Sequence, residues 1–502
     1  MTELVASPAV RRLGDWDAAD LRTLIADYGS PLYVLDLERV RENARRIETA
    51  FPDTDIFYAV KANALGELLE TIHGEGIGLE CASAGEVKRA LAAVESETGD
   101  DATGADVHYT AVNPPARDLD WVVDAWAEYP DLTITVGAED TIDRLADRGY
   151  DGRLCLRVNP GIGAGHHEKV ETGANAKFGV PAERAVEVLA DAADRGFDVV
   201  GVHAHVGSGV SSDQLDDHRE FVSRMGDLAR SVAAEVGGLE FVDVGGGFGV
   251  PYREDEQPLD LQAVADATRE AIGEIDARLT IEPGRYFVAD AGVLLSEVNT
   301  VKEARDTVAV GVDAGMTTLL RPAMYDAYHP IRNLTAESSG GDDGGETESG
   351  RNGRDDHGDG RDGHTDHIHR ETLSQTIAGP ICESGDVFCT DRQLPASQRG
   401  DVLAIGNAGA YGYEMANQYN SRPRPASVVV DGEAVRLARR RETFDDVIRL
   451  ECETRGVSDG SSETPQERTN ASRPANAETD ATANAKIDAD ANRDVDTDPE
   501  TR

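Results

Sequence analysis

Between residues 55 and 283 the chain repeats one pattern eight times: a short apolar run bounded by turn-forming residues, then a helix-like stretch. The runs are Asp55–Val60, Gly78–Cys81, Val107–Ala111, Leu132–Val136, Leu154–Val158, Val199–His205, Leu239–Val244 and Leu279–Glu282. Helical spacing is clearest in Ala84–Val94, Ala182–Asp194, Gln214–Val236 and Leu261–Arg278. Eight strands alternating with helices describe a (β/α)8 barrel, whose ligand-holding loops lie at the C-terminal ends of the strands. A doubly wound open sheet satisfies the same alternation, and the residues at the strand ends argue against it.

Beyond the barrel the pattern turns strand-like, in Tyr286–Leu295, Thr307–Val312, Val402–Ile405 and Ser427–Val430. This predicts a second, mostly β domain over 284–455, joined by the segment Pro31–Leu35, with residues 1–30 packed on it and the barrel occupying 31–283. Residues 336–371 are rich in Gly, Asp and Ser and read as a disordered insertion, and 456–502 read as a disordered acidic tail. His357, His364, His367 and His369 lie in the insertion. Such a cluster can bind metal, but without cysteines or regular spacing it reads as a solvated loop, and no metal site is expected.

The insertion carries 11 acidic and 4 basic residues and the tail 11 and 5, which leaves about −33 of the net −46 on the folded part. A body this acidic disfavours nucleic acid and anionic membranes as partners. With six lysines against 43 arginines and 5% aromatic residues, it suits a salt-rich cytoplasm, where screening suppresses self-repulsion. An ordinary acidic protein with acidic tails is the alternative. Five cysteines without a CxxC pair suggest neither a disulfide framework nor a zinc site. No apolar stretch has signal-peptide or membrane-spanning length, so a soluble cytoplasmic protein is expected.

Chemistry gathers at the strand ends. Lys61 closes the first run, in Phe57-Tyr58-Ala59-Val60-Lys61-Ala62-Asn63, where an amine can form a Schiff base or simply be solvated. The seventh run leads into Gly245-Gly246-Gly247-Phe248-Gly249, which suits either a tight turn or backbone N–H groups converging on phosphate. The eighth ends in Glu282-Pro283-Gly284-Arg285-Tyr286. Its carboxylate can keep a pyridine nitrogen protonated, and its arginine can grip an anion, unless the two merely pair at the rim. The sixth gives His203-Ala204-His205-Val206-Gly207-Ser208: a histidine able to stack on a planar ring, a metal ligand pair, or packed side chains.

Taken in this order, FYAVKAN, the stretch Gly201 to Ser208, GGGFG and EPGRY resemble the fold-type III pyridoxal phosphate decarboxylases, over about residues 20 to 450 without the insertion. Arg321-Pro322-Ala323-Met324-Tyr325-Asp326-Ala327-Tyr328-His329-Pro330, Gly379-Pro380-Ile381-Cys382-Glu383-Ser384-Gly385-Asp386 and Gly409-Ala410-Tyr411-Gly412 narrow the resemblance to the diaminopimelate decarboxylases. It implies an alanine-racemase-like barrel with a C-terminal β domain, and conversion of meso-diaminopimelate to L-lysine and CO2. It also implies that Lys61 carries pyridoxal 5'-phosphate as a Schiff base, His205 stacks on its ring, and Glu282 holds its pyridine nitrogen. Ser208, Gly245, Gly246, Gly247, Pro283, Gly284 and Arg285 would surround the phosphate and nearby groups.

Arg285, Arg321, Tyr325, Glu383 and Tyr411 would contact substrate, with Tyr411 also near the cofactor. Cys382 would protonate the carbon that loses CO2, in the active site of a partner subunit, so a homodimer is implied. The chain departs from the family pattern at Glu80, where aspartate is frequent, at Ala176, where serine is, and in the 336–371 insertion. Decarboxylases of ornithine, arginine or carboxynorspermidine share the cofactor motifs, but ornithine and arginine lack the distal carboxylate for Arg321. An alanine racemase would carry arginine near the pyridine nitrogen, and a non-catalytic pyridoxal phosphate carrier would need neither the CESGD nor the RPAMYDAYHP segment.

Overall fold

The structure is a computed structural model that describes residues 8–99, 102–161, 177–205, 207, 214–305, 307–336 and 370–451. Eight parallel strands, Thr54–Ala59, Gly78–Cys81, Val107–Ala111, Thr133–Val136, Arg153–Asn159, Asp198–His203, Phe241–Asp243 and Arg278–Ile281, pair in chain order. The eighth then pairs with the first, Leu279 opposite Thr54 and Ile281 opposite Ile56, which closes the barrel and excludes the open sheet. A short strand, Val180–Pro181, adds to the outside of the fifth.

Each strand is flanked by helices whose apolar side faces it. Besides those foreseen, Leu37–Ala50, Gly66–Gly74, Ala116–Trp126 and Glu139–Ala146 complete the alternation. The helix from Leu261 stops at Ile272 rather than running to Arg278, because Gly273 turns the backbone to φ +68°. The run from Tyr286 is likewise not all strand. A helical turn, Arg285–Val288, precedes the strand Gly292–Ala304, and a continuous apolar run gives no period by which to separate the two.

Small residues make room for rings inside the barrel. A Cβ at Gly78 would lie 2.4 Å from the Phe57 ring, and one at Gly201 would lie 2.6 Å from the Phe241 ring. Those two rings stack on either side of His108, with centroids 3.9 and 5.1 Å from its own. Burial pushes the His108 pKa down to about 3, so this layer is neutral and forms an apolar floor beneath the strand ends.

The second sheet runs in the order Val387–Pro395, Thr372–Ala378, Thr307–Val312, Gly292–Ala304, Leu32–Asp36, Ala426–Asp431, Ala434–Arg439, while Val402–Ile405 bridges Gly292–Ala304 and Ile331–Asn333. Strand Leu32–Asp36 therefore joins this sheet, as expected for the segment Pro31–Leu35, and the first barrel strand begins only at Thr54. Leu32, Tyr33, Val34 and Leu35 are all buried because the strand is covered on both faces and paired on both edges. Leu21, Leu24 and Ile25 of the helix Ala18–Tyr28 pack against this sheet at Leu32, Val293 and Val428.

Asp36 ends that strand and caps the helix Leu37–Ala50 by accepting from the Arg39 N–H, so the chain passes from the second sheet into the barrel without a linker. Arg39, 3% exposed, pairs with Asp290 at 2.7 Å, and Asn43 donates to the same carboxylate at 2.8 Å. That network ties the first barrel helix to the turn leaving the last barrel strand. Ser208, Ala176, the tail and nearly all of the 336–371 insertion lie outside the described residues.

Candidate active site

The first barrel strand stops at Ala59, and a single 3-10 turn, Val60–Ala62, lifts Lys61 to the barrel mouth. Its Nζ lies 2.8 Å from Oε2 of Glu80, which is 1% exposed at the end of the second strand. Burial alone would lower the lysine pKa, but the carboxylates of Glu80 and Glu282 outweigh it and hold the ammonium above its ordinary value. The longer Glu80 side chain thus meets the lysine directly.

Glu282 is buried at the end of the eighth strand, with its Oε2 3.2 Å from His203 Nε2. Burial would raise its pKa, but His203 and Lys61 reverse the shift and hold it well below the usual carboxylate range. Asp243, the last residue of the seventh strand, goes the other way, pushed up by burial and by the Glu282 charge. Two adjacent buried carboxyls resist double ionisation, so the proton resides on Asp243 and Glu282 keeps the charge. Ligand atoms of His203, Asp243 and Glu282 lie within 4.8 Å of one another. Asp243 Oδ1 accepts from the Gly245 N–H at 2.7 Å and His203 Nε2 meets Glu282, while His203 Nδ1 has no hydrogen-bond partner among the described residues.

The glycine turn follows directly. Gly245 and Gly247 take φ +70° and +102°, and a Cβ on Gly246 would lie 2.3 Å from the Glu282 carbonyl oxygen. The Gly246 N–H donates to His205 Nδ1 at 3.1 Å, which fixes the ring orientation. Burial, reinforced by the charges of Lys61 and Arg157, pushes the His205 pKa down to about 3, so its ring is neutral.

On the other side of the mouth, Arg285 Nη1 donates to the Tyr252 hydroxyl at 2.8 Å and Arg321 Nη1 donates to the same oxygen at 3.0 Å. The Arg285 guanidinium also lies 4.8 Å from the centroid of the Tyr411 ring. Tyr411 sits at φ +54°, a costly conformation for a residue with a Cβ, and its N–H donates 2.7 Å to the carbonyl of Ala62, beside Lys61. Tyr325 lies close enough to Arg285 to bear on its charge.

Cys382 and Glu383 stand apart. Both are exposed, and no hydrogen bond or ion pair among the described residues joins them to the Lys61 cluster. The Cys382 thiol lies 3.3 Å from Asn420 Oδ1, and Glu383 accepts from the Tyr419 hydroxyl. Asp386 holds their turn by accepting from the N–H groups of Ile381 and Met316, each at 2.6 Å.

Sequence reasoning did not assign Arg157, Asp243, Tyr252 or a separate role for His203. Two of these were findable. Arg157 is a cation inside an apolar strand run, and Asp243 precedes the glycine turn by two residues at the inward parity.

The match to the family described as pyridoxal-dependent decarboxylase, pyridoxal binding domain, covers residues 37–289. A diaminopimelate decarboxylase of Methanothermobacter thermautotrophicus is 40% identical over 450 residues, which is 86% of this chain and 94% of the relative. The chain belongs to the diaminopimelate decarboxylase family. The Escherichia coli K12 member is 33% identical over 452 residues, covering 87% of this chain and 97% of its own. Among solved structures, diaminopimelate decarboxylase from Helicobacter pylori in complex with L-lysine superposes with a TM-score of 0.72 at 29% identity, covering 86% of this chain and 99% of that one.

The protein is a pyridoxal-phosphate-dependent carboxy-lyase. The residues at the mouth fit that cofactor: an amine at Lys61, an ionised buried carboxylate at Glu282, a neutral ring at His205, and a turn whose Gly245 and Gly246 approach their neighbours too closely for any Cβ.

Proposed function

We propose that this decarboxylase acts on meso-2,6-diaminopimelate, releasing CO2 and leaving L-lysine. The observation that carries this is the pair of guanidiniums, Arg285 and Arg321, bridged by Tyr252 across the mouth from Lys61. Paired arginines recognise a carboxylate by charge-assisted, planar hydrogen bonds. Diaminopimelate keeps a distal carboxylate for them to hold, whereas ornithine and arginine have only cationic distal groups.

Pyridoxal phosphate supplies an electron sink for the electron pair left when CO2 departs. Lys61 anchors it at Nζ, with Glu80 holding that side chain. Glu282, kept ionised beneath the mouth, would hold a proton on the ring nitrogen, an arrangement favoured by the neighbouring proton on Asp243. His205 would stack on the ring as a neutral side chain that adds no competing charge. Gly245, Gly246, Gly247, Pro283 and Gly284 would hold the phosphate end, with Arg285 beside them, and Ser208 is expected to join them. Tyr325 and Tyr411 line the substrate. Glu383 meets the distal ammonium, and Cys382 delivers its thiol proton to the carbon that lost CO2.

These last two roles require a second copy of the chain. Cys382 and Glu383 are exposed and held outward by Asp386, which supports a homodimer whose sites are completed across the interface. No helix among the described residues is long and apolar enough to cross a membrane, and the net charge of −46 suits a salt-rich cytoplasm.

The test uses cofactor-loaded protein with meso-diaminopimelate, ornithine and arginine in parallel, assaying CO2 and amine product. Lysine is expected from diaminopimelate alone, and none from Lys61→Ala; CO2 from ornithine or arginine would overturn the distal-end assignment. Mixing Lys61→Ala with Cys382→Ala subunits should restore about a quarter of wild-type activity through mixed dimers, each with one intact site. No restoration would place Cys382 in its own chain's site, and an active Cys382→Ala parent would place it outside the reaction.

A further inference from the structure

We propose that Tyr252 is the residue that makes the distal subsite specific for a carboxylate, by clamping Arg285 and Arg321 into a single fork. The proposal rests on the assignment of these two arginines to the substrate.

Tyr252 is the only described residue that bonds both guanidiniums. A phenolic oxygen has two lone pairs, and the two arginine donors, at 2.8 and 3.0 Å, take both. Without an acceptor between them, two guanidiniums this close repel and splay apart. With it, both present their remaining N–H groups to one place, and the phenol keeps its own O–H as a further donor. No acceptor among the described residues takes the other N–H groups of either arginine, although Arg321 is only 5% exposed. Neither guanidinium has a fully buried unpaired nitrogen among the described residues, so these N–H groups reach solvent, and a ligand that accepts from them can replace it. A carboxylate does so, while an ammonium would meet two positive charges at contact distance.

The clamp is itself held rigidly. Its loop leaves the seventh strand just after the glycine turn, and the N–H groups of Tyr252 and Arg253 both donate to Glu256 Oε2, at 2.7 and 3.1 Å. Asn407, from the second domain, donates to the Pro251 carbonyl at 3.0 Å. Arg12 donates to the carbonyls of Arg253 and Glu256 at 2.7 and 2.8 Å. The His329 ring meets the Tyr252 ring edge-on at 5.4 Å. Anchored from the N-terminal segment, the barrel and the second domain, the hydroxyl has little freedom to follow a guanidinium that moves. The pull of the two arginines outweighs burial and draws the hydroxyl pKa below its ordinary value, as expected of an oxygen that accepts from two cations.

The test compares wild type, Tyr252→Phe and Arg321→Ala as cofactor-loaded, full-length enzymes. In Tyr252→Phe, which keeps the ring, KM for diaminopimelate should rise about tenfold while kcat falls less. Inhibition by the seven-carbon dicarboxylate pimelate should weaken by a similar factor, with the cofactor's absorbance and affinity unmoved. A merely structural role would instead lower kcat, cofactor affinity and melting midpoint together. On wild type alone, pimelate should inhibit at least tenfold better than 6-aminohexanoate, and equal inhibition would overturn the carboxylate fork however the variants fold. A raised KM in Arg321→Ala with none in Tyr252→Phe would sink the clamp and leave the arginine assignment standing. An unchanged KM in both would remove that assignment and the clamp with it.

Discussion

Gly246→Ala gives a quantitative test of how closely the glycine turn and the eighth strand end depend on each other. The added Cβ would lie 2.3 Å from the Glu282 carbonyl oxygen, 3.1 Å from its carbonyl carbon and 3.7 Å from the Pro283 nitrogen, all backbone atoms with no rotamer to yield. Ordinary contact requires the two segments to part by about 1 Å, in a place where interiors are close-packed. The Glu282 N–H donates to the Gly245 carbonyl at 3.0 Å in the same place, so parting stretches that bond too. Overpacking of this kind costs about 1–3 kcal/mol. A displacement of about 1 Å in a group that orients the reaction can cost roughly 100-fold in rate.

The expected result is a urea midpoint lowered by that stability for the cofactor-free protein, weaker pyridoxal phosphate binding by absorbance titration, and kcat/KM down about two orders of magnitude. Gly66→Ala serves as control. Gly66 opens the helix Gly66–Gly74 with nothing within 4 Å of the place an alanine methyl would take, so alanine there should be neutral or stabilise by up to about 1 kcal/mol. Wild-type stability, cofactor affinity and turnover in Gly246→Ala would show that the close approach does not orient Glu282.

Three further predictions concern stability. Asp290→Ala strands the Arg39 guanidinium, 3% exposed, and should cost about 3 kcal/mol in urea unfolding, the lower end for a broken buried pair because Glu42 and the Pro8 and Ala9 carbonyls remain as partners; a loss under about 1 kcal/mol would contradict this. Burial pushes the Glu86 pKa up to about 7, so the folded state holds a proton that the unfolded state releases near its ordinary value of 4.5. Stability should therefore fall as pH rises between about 4.5 and 7, and Glu86→Gln should flatten that slope; an unaltered pH profile would exclude Glu86 as its source. If the −46 charge reflects a salt-rich cytoplasm, melting midpoint and activity should rise steeply toward molar KCl, and equal values in dilute buffer would refute that reading.

The barrel was legible because each strand is largely buried and reads as a mostly apolar run, so all eight runs overlap observed strands. Boundaries slipped where pairing, and not hydrophobicity, ends a strand: the sixth stops at His203 although its apolar character continues to Ala204. Strand Leu32–Asp36 resembles a barrel strand for the same reason, being buried on both faces; its membership of the second sheet was expected, and its partners at residues 292–295 and 426–430 give its register. At the site, glycines, Lys61 and Glu282 stood out because their chemistry is unusual at strand ends. Tyr252 did not, because its role arises only when Arg321, 69 residues on, folds back to meet it. The division of charge between Asp243 and Glu282 depends on a distance that no spacing encodes.

Strand Leu32–Asp36 also sets an order of events during synthesis. Its parallel neighbour, Ala426–Asp431, is made almost 400 residues later. At about 5–20 residues per second, roughly 20–80 s pass before that neighbour leaves the ribosome. Through that interval the barrel between them can close, yet Leu32, Tyr33, Val34 and Leu35 keep an apolar edge open on the nascent chain. The last strands to be made therefore seal the first, and a chain cut short before residue 426 would carry a finished barrel with an adhesive edge.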